Sequence, residues 1–131
     1  MNPGAPSDSE PAAIPAPAVD FNGKWRSELG SSIVLKVEAD GTVQGIYQRA
    51  VGPDSTVEDF PLLGFVSGTL LCFAANLGKY GSVISWVGQC TEEDRDPIIR
   101  AMWLLERYVA DPDDPANLGG ATVTGYNHFV R

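Results

Sequence analysis

Four neutral polar side chains occur in this sequence in segments that also contain large aromatic residues. Ser27, Ser31, Tyr47 and Asn127 offer hydroxyl and amide groups that donate or accept hydrogen bonds without ionising. A buried hydroxyl that has no partner costs about 1–3 kcal/mol, so isolated serines facing an apolar interior favour a ligand over packing alone. The aromatic residues that share their spacing are Trp25, Tyr47, Phe73, Trp86 and Trp103. This combination predicts non-covalent binding of a small molecule.

These residues lie in short segments of alternating apolar and polar residues. Gly, Pro, Asn and Asp clusters separate the segments, a pattern typical of an all-β domain. Residues 101–108 are good helix formers, but the neighbouring segments favour a strand there. Eight short antiparallel strands predict an up-and-down β-barrel, because closure removes the sheet edges. The eight segments lie near residues 21–28, 31–38, 42–49, 60–67, 70–77, 82–90, 97–108 and 121–130.

Alternation along each strand predicts which side chains share the barrel interior. If Trp25 points inward, so does Ser27, and the same parity places Ser82 and Asn127 inward near strand ends. A mostly apolar cavity with a few converging polar groups is the usual small-molecule site. Aromatic side chains also fill barrels that bind nothing, and the pattern alone leaves both interpretations open.

Charge and composition argue against several other functions. The net charge is −8, and the nine basic residues are scattered singly, so neither nucleic acid nor an anionic membrane is an expected partner. With two cysteines and one histidine, we expect no transition-metal site and no cofactor. That histidine, His128, lies on the opposite strand face from Asn127, and no inward carboxylate pair is present. The sequence therefore predicts a protein that is not an enzyme.

The sequence allows the two cysteines to form one disulfide or to remain two thiols. Cys72 and Cys90 fall in neighbouring strands, but parity places Cys72 outward and Cys90 inward, which argues against a simple bridge. Residues 1–20 are rich in proline and nearly free of large apolar side chains. We expect a disordered segment over 1–20 and one domain over 21–131.

Several stretches, taken in order, resemble the avidin/streptavidin family over Phe21 to Arg131. They are FNGKWRSELGSSI, DGTVQGIYQRAVG, the PLLG and SG segment, SWVGQC, AMWLLERY and GYNHFVR. The resemblance implies a biotin-binding barrel. It further implies that Ser27, Ser31 and Tyr47 donate to the ureido oxygen of biotin, while Asn127 accepts from a ureido N–H. By the same resemblance, Ser82 meets the carboxylate, and the rings are enclosed by Trp25, Leu29, Val51, Trp86, Trp103 and Leu105.

The sequence also departs from that family at the rim of the expected pocket. Arg49 replaces a small hydroxyl residue, and a guanidinium cannot accept a hydrogen bond. Pro53 removes a backbone N–H, Leu77 replaces a tryptophan, and Ile84 replaces a hydroxyl residue. The segment 111–120 lacks the tryptophan that a neighbouring subunit receives as a lid. At about 1–2 kcal/mol each, three or four such losses predict affinity weakened by roughly 10³–10⁶.

Three further expectations concern a lid over the pocket, the assembly of the protein and its location. The eleven residues Ala50 to Phe60 are long for a hairpin loop and predict a lid, in which Asp54, Glu58 or Asp59 could hold Arg49. Family members assemble, so we expect a homotetramer, with a dimer as the alternative. The outward apolar residues suited to that interface are Val34, Ile46, Met102, Leu104 and Val130. We also expect secretion, to the periplasm or the outside of the cell.

Two competing functions remain at the level of sequence. One is a lipocalin-like carrier of a different small apolar or anionic ligand, which an inward Arg49 would favour. The other is an interaction barrel whose pocket takes no ligand.

Overall fold

The computed structural model describes residues 19–51, 56–114 and 120–131 of the chain. The eight strands are β1 (Gly23–Ser27), β2 (Ser32–Val37), β3 (Thr42–Val51), β4 (Thr56–Ser67), β5 (Leu70–Leu77), β6 (Ser82–Glu93), β7 (Asp96–Arg107) and β8 (Thr122–Val130). The predicted disorder of residues 1–20 falls almost entirely outside the described residues. Residues 101–107 form strand as expected, and a short 3₁₀ helix, Gly78–Tyr80, follows β5.

Each strand pairs antiparallel with the next, and β8 pairs with β1, so the sheet closes into an eight-stranded barrel. The predicted fold class is confirmed. Closure satisfies the backbone groups that an open sheet would leave at its edges. No helix in the described part of the chain is long and apolar enough to cross a membrane.

The predicted eleven-residue lid is wrong, because strand pairing continues through most of it. Ala50 and Val51 belong to β3 and pair with Val57 and Thr56 of β4. Only 52–55 separate the two strands, and these residues lie outside the described part. The alternation in this segment is simply weaker than in the rest of β4, so its polar side chains suggested a loop.

A second hairpin is also tighter than the sequence suggested. β6 and β7 extend to Glu93 and Asp96, and only Asp94 and Arg95 connect them. Both have positive φ, at 53° and 72°. That pair of left-handed residues is the backbone of a two-residue hairpin that matches the twist of the strands. Asparagine or glycine usually marks such a turn, which is why Asp94-Arg95 did not indicate it.

Inward side chains form one core, as strand parity predicts. In β5 the exposure alternates strictly, with Leu71, Phe73, Ala75 and Leu77 buried. The two thiols also follow parity: Cys72 is exposed, Cys90 is buried, and both are free. Burial raises the pKa of the Cys90 thiol.

One end of the barrel, here called the closed end, is filled by large apolar side chains. Trp25 is fully buried there, and its Nε1 donates to the carbonyl oxygen of Phe21 over 2.9 Å. The guanidinium of Arg131 lies 4.0 Å from the centre of the Trp25 ring system and donates to the carbonyl oxygens of Asn22 and Asp20. The C-terminal residue thus covers the core at this end.

Candidate ligand-binding site

A cavity of about 360 Å³ lies at the other end of the barrel, here called the open end. Its volume suits one small molecule. The wall combines apolar, aromatic and polar residues from four strands, β3, β6, β7 and β8, and from the turn between β1 and β2. Its lining residues are Leu29, Gly30, Ser31, Tyr47, Arg49, Ala50, Ile84, Trp86, Trp103, Leu105 and Asn127.

Neutral polar groups occupy one side of this cavity. Ser31 and Asn127 are the two buried polar residues of the described chain, and Tyr47 is buried beside them. Ser27 does not line the cavity, but its Oγ lies 3.0 Å from the Oγ of Ser31 and accepts a hydrogen bond from the backbone N–H of Leu29. Because the Ser27 hydroxyl accepts from Leu29, it can donate its own O–H to Ser31 Oγ, which leaves the Ser31 O–H free to donate to a ligand.

The turn that carries Ser31 is anchored to β8, the strand that closes the barrel against β1. Glu28 Oε2 accepts a hydrogen bond of 2.9 Å from the backbone N–H of His128, which is next to Asn127. The same oxygen lies 3.7 Å from Nδ1 of the exposed His128 ring. Glu28 therefore ties the polar turn to β8 and keeps Ser31 near Asn127.

Aromatic rings form much of the remaining wall. Trp86 and Trp103 are direct partners across β6 and β7, and the Tyr47 ring lies edge-on to Trp86 with ring centres 4.9 Å apart. A Cβ atom at Gly125 would come within 2.6 Å of the Trp103 ring, so this position must lack a side chain. The Nε1 of Trp86 is buried and has no hydrogen-bond partner within the described residues.

Arg49 faces the cavity from β3, where parity predicts an inward side chain. Its guanidinium carbon lies 5.6 Å from the centre of the Phe60 ring, within the range of a cation–π contact. Its Nε is buried and lacks a hydrogen-bond partner among the residues that the structure describes. A cation thus lies on the wall of an otherwise neutral cavity.

The acids expected to hold Arg49 have other partners. Glu58 is opposite Arg49 in the sheet, but it accepts hydrogen bonds from Tyr80 Oη at 2.5 Å and from Lys79 Nζ at 3.1 Å. The Tyr80 bond, followed by the Lys79 bond, lowers the pKa of Glu58, and the bond to Glu58 raises the pKa of Tyr80. Asp59 accepts from Gln48. The expected pairing of Arg49 with Glu58 or Asp59 is wrong, and Asp54 lies outside the described residues.

The structure brings most of the predicted site residues together. Leu29, Ser31, Tyr47, Arg49, Trp86, Trp103, Leu105 and Asn127 all line the cavity. Trp25 and Leu77 are fully buried in the core and are absent from the lining. Ser82 is half-buried at the start of β6, also away from the lining. The side chain of Val51, with Pro53 and Gly119, lies outside the described part.

Sequence reasoning did not include three of the lining residues in the site. Ile84 was noted only as a departure from the family, although its inward parity was a sufficient signal. Gly30 lies in the β1–β2 turn, where alternation does not apply. Ala50 neighbours Arg49 and has the opposite parity, so no pattern could indicate that it reaches the rim.

The closed barrel with a cavity at one end is the architecture of small-molecule-binding barrels. The model of the Avidin family matches residues 15–131, and the chain belongs to that family.

Three solved structures share the fold. Xenavidin is 28% identical with a TM-score of 0.75, over 87% of this chain and 98% of that protein. A protein named AVR2 is 26% identical with a TM-score of 0.73, over 88% and 98% respectively. Rhizavidin, solved in complex with biotin, is 23% identical with a TM-score of 0.65, over 82% and 96%. At that identity, the likeness to rhizavidin concerns the fold alone.

Proposed function

We propose that this protein binds biotin non-covalently in the cavity at the open end. One observation carries the proposal: the buried Ser31, Tyr47 and Asn127 share one cavity wall with Trp86 and Trp103. Membership of the Avidin family supports the same ligand. In this site Ser31 and Tyr47 donate to the ureido oxygen, Ser27 orients Ser31, and Asn127 accepts from a ureido N–H. The tryptophans cover the apolar rings.

We infer that the affinity is lower than in tight-binding relatives. Arg49 and Ile84 stand on the cavity wall in place of hydroxyl groups, so two neutral contacts with the ligand are lost. Calorimetric titration with biotin tests both statements. We expect a dissociation constant in the nanomolar to micromolar range, by order of magnitude. No binding at about 100 μM would overturn the biotin proposal, and sub-picomolar retention would overturn the reduced affinity.

The protein acts as a binder and performs no chemistry on its ligand. No group of three or more potential metal ligands occurs in the described residues, and the polar groups of the wall suit hydrogen bonding. Biotin released from the protein by denaturation should have an unchanged mass. A modified product would contradict this part of the proposal.

A second candidate ligand is a different small anion, and the inward Arg49 is the observation that favours it. Titration with free biotin, whose carboxylate is not blocked by a linker, distinguishes the two candidates: saturable binding supports the first. If free biotin does not bind, a fluorescent fatty acid displaced by its unlabelled acid would support the second.

We further propose a homo-oligomer, with a tetramer favoured over a dimer. Five exposed apolar side chains form a continuous patch, here called the outer apolar face, across β4, β6 and β7. They are Leu63, Phe65, Val87, Met102 and Leu104, and 46 to 64% of each is exposed. The sheet register places Cys72 between Phe65 and Val87, and Val87 beside Met102, so the patch is unbroken. By contrast, the expected interface residues Val34 and Ile46 are already half-buried.

Sedimentation equilibrium tests the assembly. Val87→Lys places a charge at the centre of the outer apolar face and should lower the assembly mass, whereas Gln44→Lys, on the outside of β3, should not. A monomeric wild-type protein would overturn the oligomer.

We also propose secretion, on the strength of the family resemblance alone. Fractionation of cells that express the natural gene should place the protein in the periplasm or the medium. Recovery only in the cytoplasm would overturn this proposal.

A further inference from the structure

Arg49 presents an unsatisfied cation to the cavity. The guanidinium comes from the inner face of β3, two residues from Tyr47 in the direction of the β3–β4 hairpin. It lies against the Phe60 ring, which restricts the side chain, and its buried Nε has no hydrogen-bond partner in the described chain. A guanidinium is charged at every pH at which the protein folds, so it cannot lose its charge on burial.

No carboxylate of the described residues forms an ion pair with this cation, although the charge of Arg49 is the last and smallest of the causes that lower the pKa of Glu58. Ion pairs within 4.0 Å link Glu58 to Lys79 and Glu28 to His128, but none of those found in the described ranges includes Arg49. Glu58, the nearest acid in register, already accepts from two donors. The guanidinium of Arg49 therefore has no directly bonded acid in the described chain and can bind one that enters the cavity.

The other unsatisfied polar atom of the cavity wall has the same chemistry. Trp86 Nε1 is a donor without a partner, like Arg49 Nε. Each buried donor without an acceptor costs about 1–3 kcal/mol, and a planar guanidinium is best matched by a carboxylate, which it can hold through two parallel hydrogen bonds. Because both nitrogens are buried, the part of Arg49 that a ligand can meet is the terminal end of its guanidinium, which an anionic oxygen group would satisfy.

We propose that Arg49 receives the carboxylate of the ligand and makes this site selective for a free acid over its neutral ester. The inference rests on the proposed function, since biotin carries one ionised carboxylate at neutral pH. Selectivity follows because esterification removes the anionic oxygen while it keeps the ureido and ring groups that the rest of the wall contacts. The protein would then distinguish free biotin from biotin conjugated through its carboxyl group.

Calorimetric titration of the full chain with biotin and with biotin methyl ester tests this inference. The wild-type protein should bind the acid about 10- to 100-fold more tightly than the ester, the range expected for one charge-assisted hydrogen-bonded pair. Arg49→Gln should weaken binding of the acid by a similar factor and leave the two ligands nearly equal. Arg49→Lys, which keeps the charge but loses the planar fork, should fall between them.

Arg26→Gln is the matched control, because Arg26 is exposed on the outside of β1. It should keep the full preference for the acid. Circular dichroism and thermal unfolding establish that each variant is folded. Equal affinity of the wild type for acid and ester, or an unchanged ratio in Arg49→Gln, would overturn the inference and leave biotin binding intact. If neither ligand binds, the proposed function and the inference both fail.

Discussion

The two ends of the barrel use the same residue type in opposite ways. At the closed end, Trp25 is buried and its Nε1 donates to the Phe21 carbonyl oxygen. At the open end, Trp86 is equally buried, but its Nε1 has no partner among the described residues. A native core satisfies nearly all of its buried polar atoms. The closed end therefore satisfies its buried indole donor, whereas the open end contains a buried indole donor that no described residue satisfies.

Two arginines repeat this contrast. Arg131 lies over Trp25 and donates to two backbone carbonyl oxygens, so its charge is well solvated by the fold. Arg49 lies over Phe60, yet its Nε is unpartnered. Residue type therefore does not separate structural from functional side chains in this barrel. The hydrogen bonds that each group has, or lacks, separate them.

Removal of the closed-end tryptophan should have the largest effect. Trp25→Ala deletes a fully buried ring and should lower the free energy of unfolding by about 3–5 kcal/mol. Urea denaturation monitored by circular dichroism measures this loss. A loss below about 1 kcal/mol would contradict the structural role assigned to the closed end.

A milder pair of variants compares the two ends directly. Trp25→Phe should destabilise the fold by about 1 kcal/mol more than Trp86→Phe, because only Trp25 loses a hydrogen bond. Biotin affinity should show the reverse order, since Trp86 lines the cavity. The same denaturation and titration experiments provide both values. Equal stability losses would remove the distinction between the ends.

Substitution of two asparagines, one at each end of the barrel, should have the next largest effects, on affinity at one end and on stability at the other. Asn127→Ala should weaken biotin binding about 10-fold through the loss of one neutral hydrogen bond, with little change in unfolding. Asn22, at the closed end, accepts a hydrogen bond of 2.8 Å from the backbone N–H of Val37. Asn22→Ala should lower stability by about 1 kcal/mol and leave biotin affinity unchanged. If both variants affected the same property, the assignment of stability to the closed end and of binding to the open end would be wrong.

The paired arginine variants should have a smaller effect on stability. Arg131→Gln removes a cation–π contact and two hydrogen bonds at the surface, and it should lower the free energy of unfolding by about 0.5–1 kcal/mol. Arg49→Gln should cost less, because its guanidinium leaves a donor unsatisfied. Thermal unfolding of the two proteins without ligand makes the comparison. A greater loss in Arg49→Gln would indicate a structural role for that residue.

The smallest expected effect is on the stability of the folded protein at low pH. Hydrogen bonds from Tyr80 and then Lys79 lower the pKa of Glu58, so the folded state is stabilised above the ordinary carboxyl pKa. This contribution disappears as the pH falls through the lowered pKa. Between about pH 5 and about pH 3, wild type should lose more stability than Glu58→Gln. Glu92→Gln, an exposed substitution at the closed end, serves as the control and should follow wild type.

The sequence determined the barrel and most of the cavity wall. Strict alternation in β5 and the inward parity of Tyr47, Arg49, Trp86 and Asn127 are local properties that survive folding unchanged. Parity also separated Cys72 from Cys90 correctly. Turn residues such as Asp40-Gly41 fixed where the strands begin and end, because positive φ is cheap for glycine.

The depth of each inward side chain, and the groups that it contacts, depend on the folded structure. Parity gave Trp25 and Trp86 the same face, but depth along the barrel made one part of the core and the other part of the cavity. Likewise, the sequence offered acids that could neutralise Arg49, and the fold directed Glu58 to Tyr80 and Lys79 instead. Alternation encodes a direction for each side chain, whereas partners depend on distances between residues that are remote in the chain.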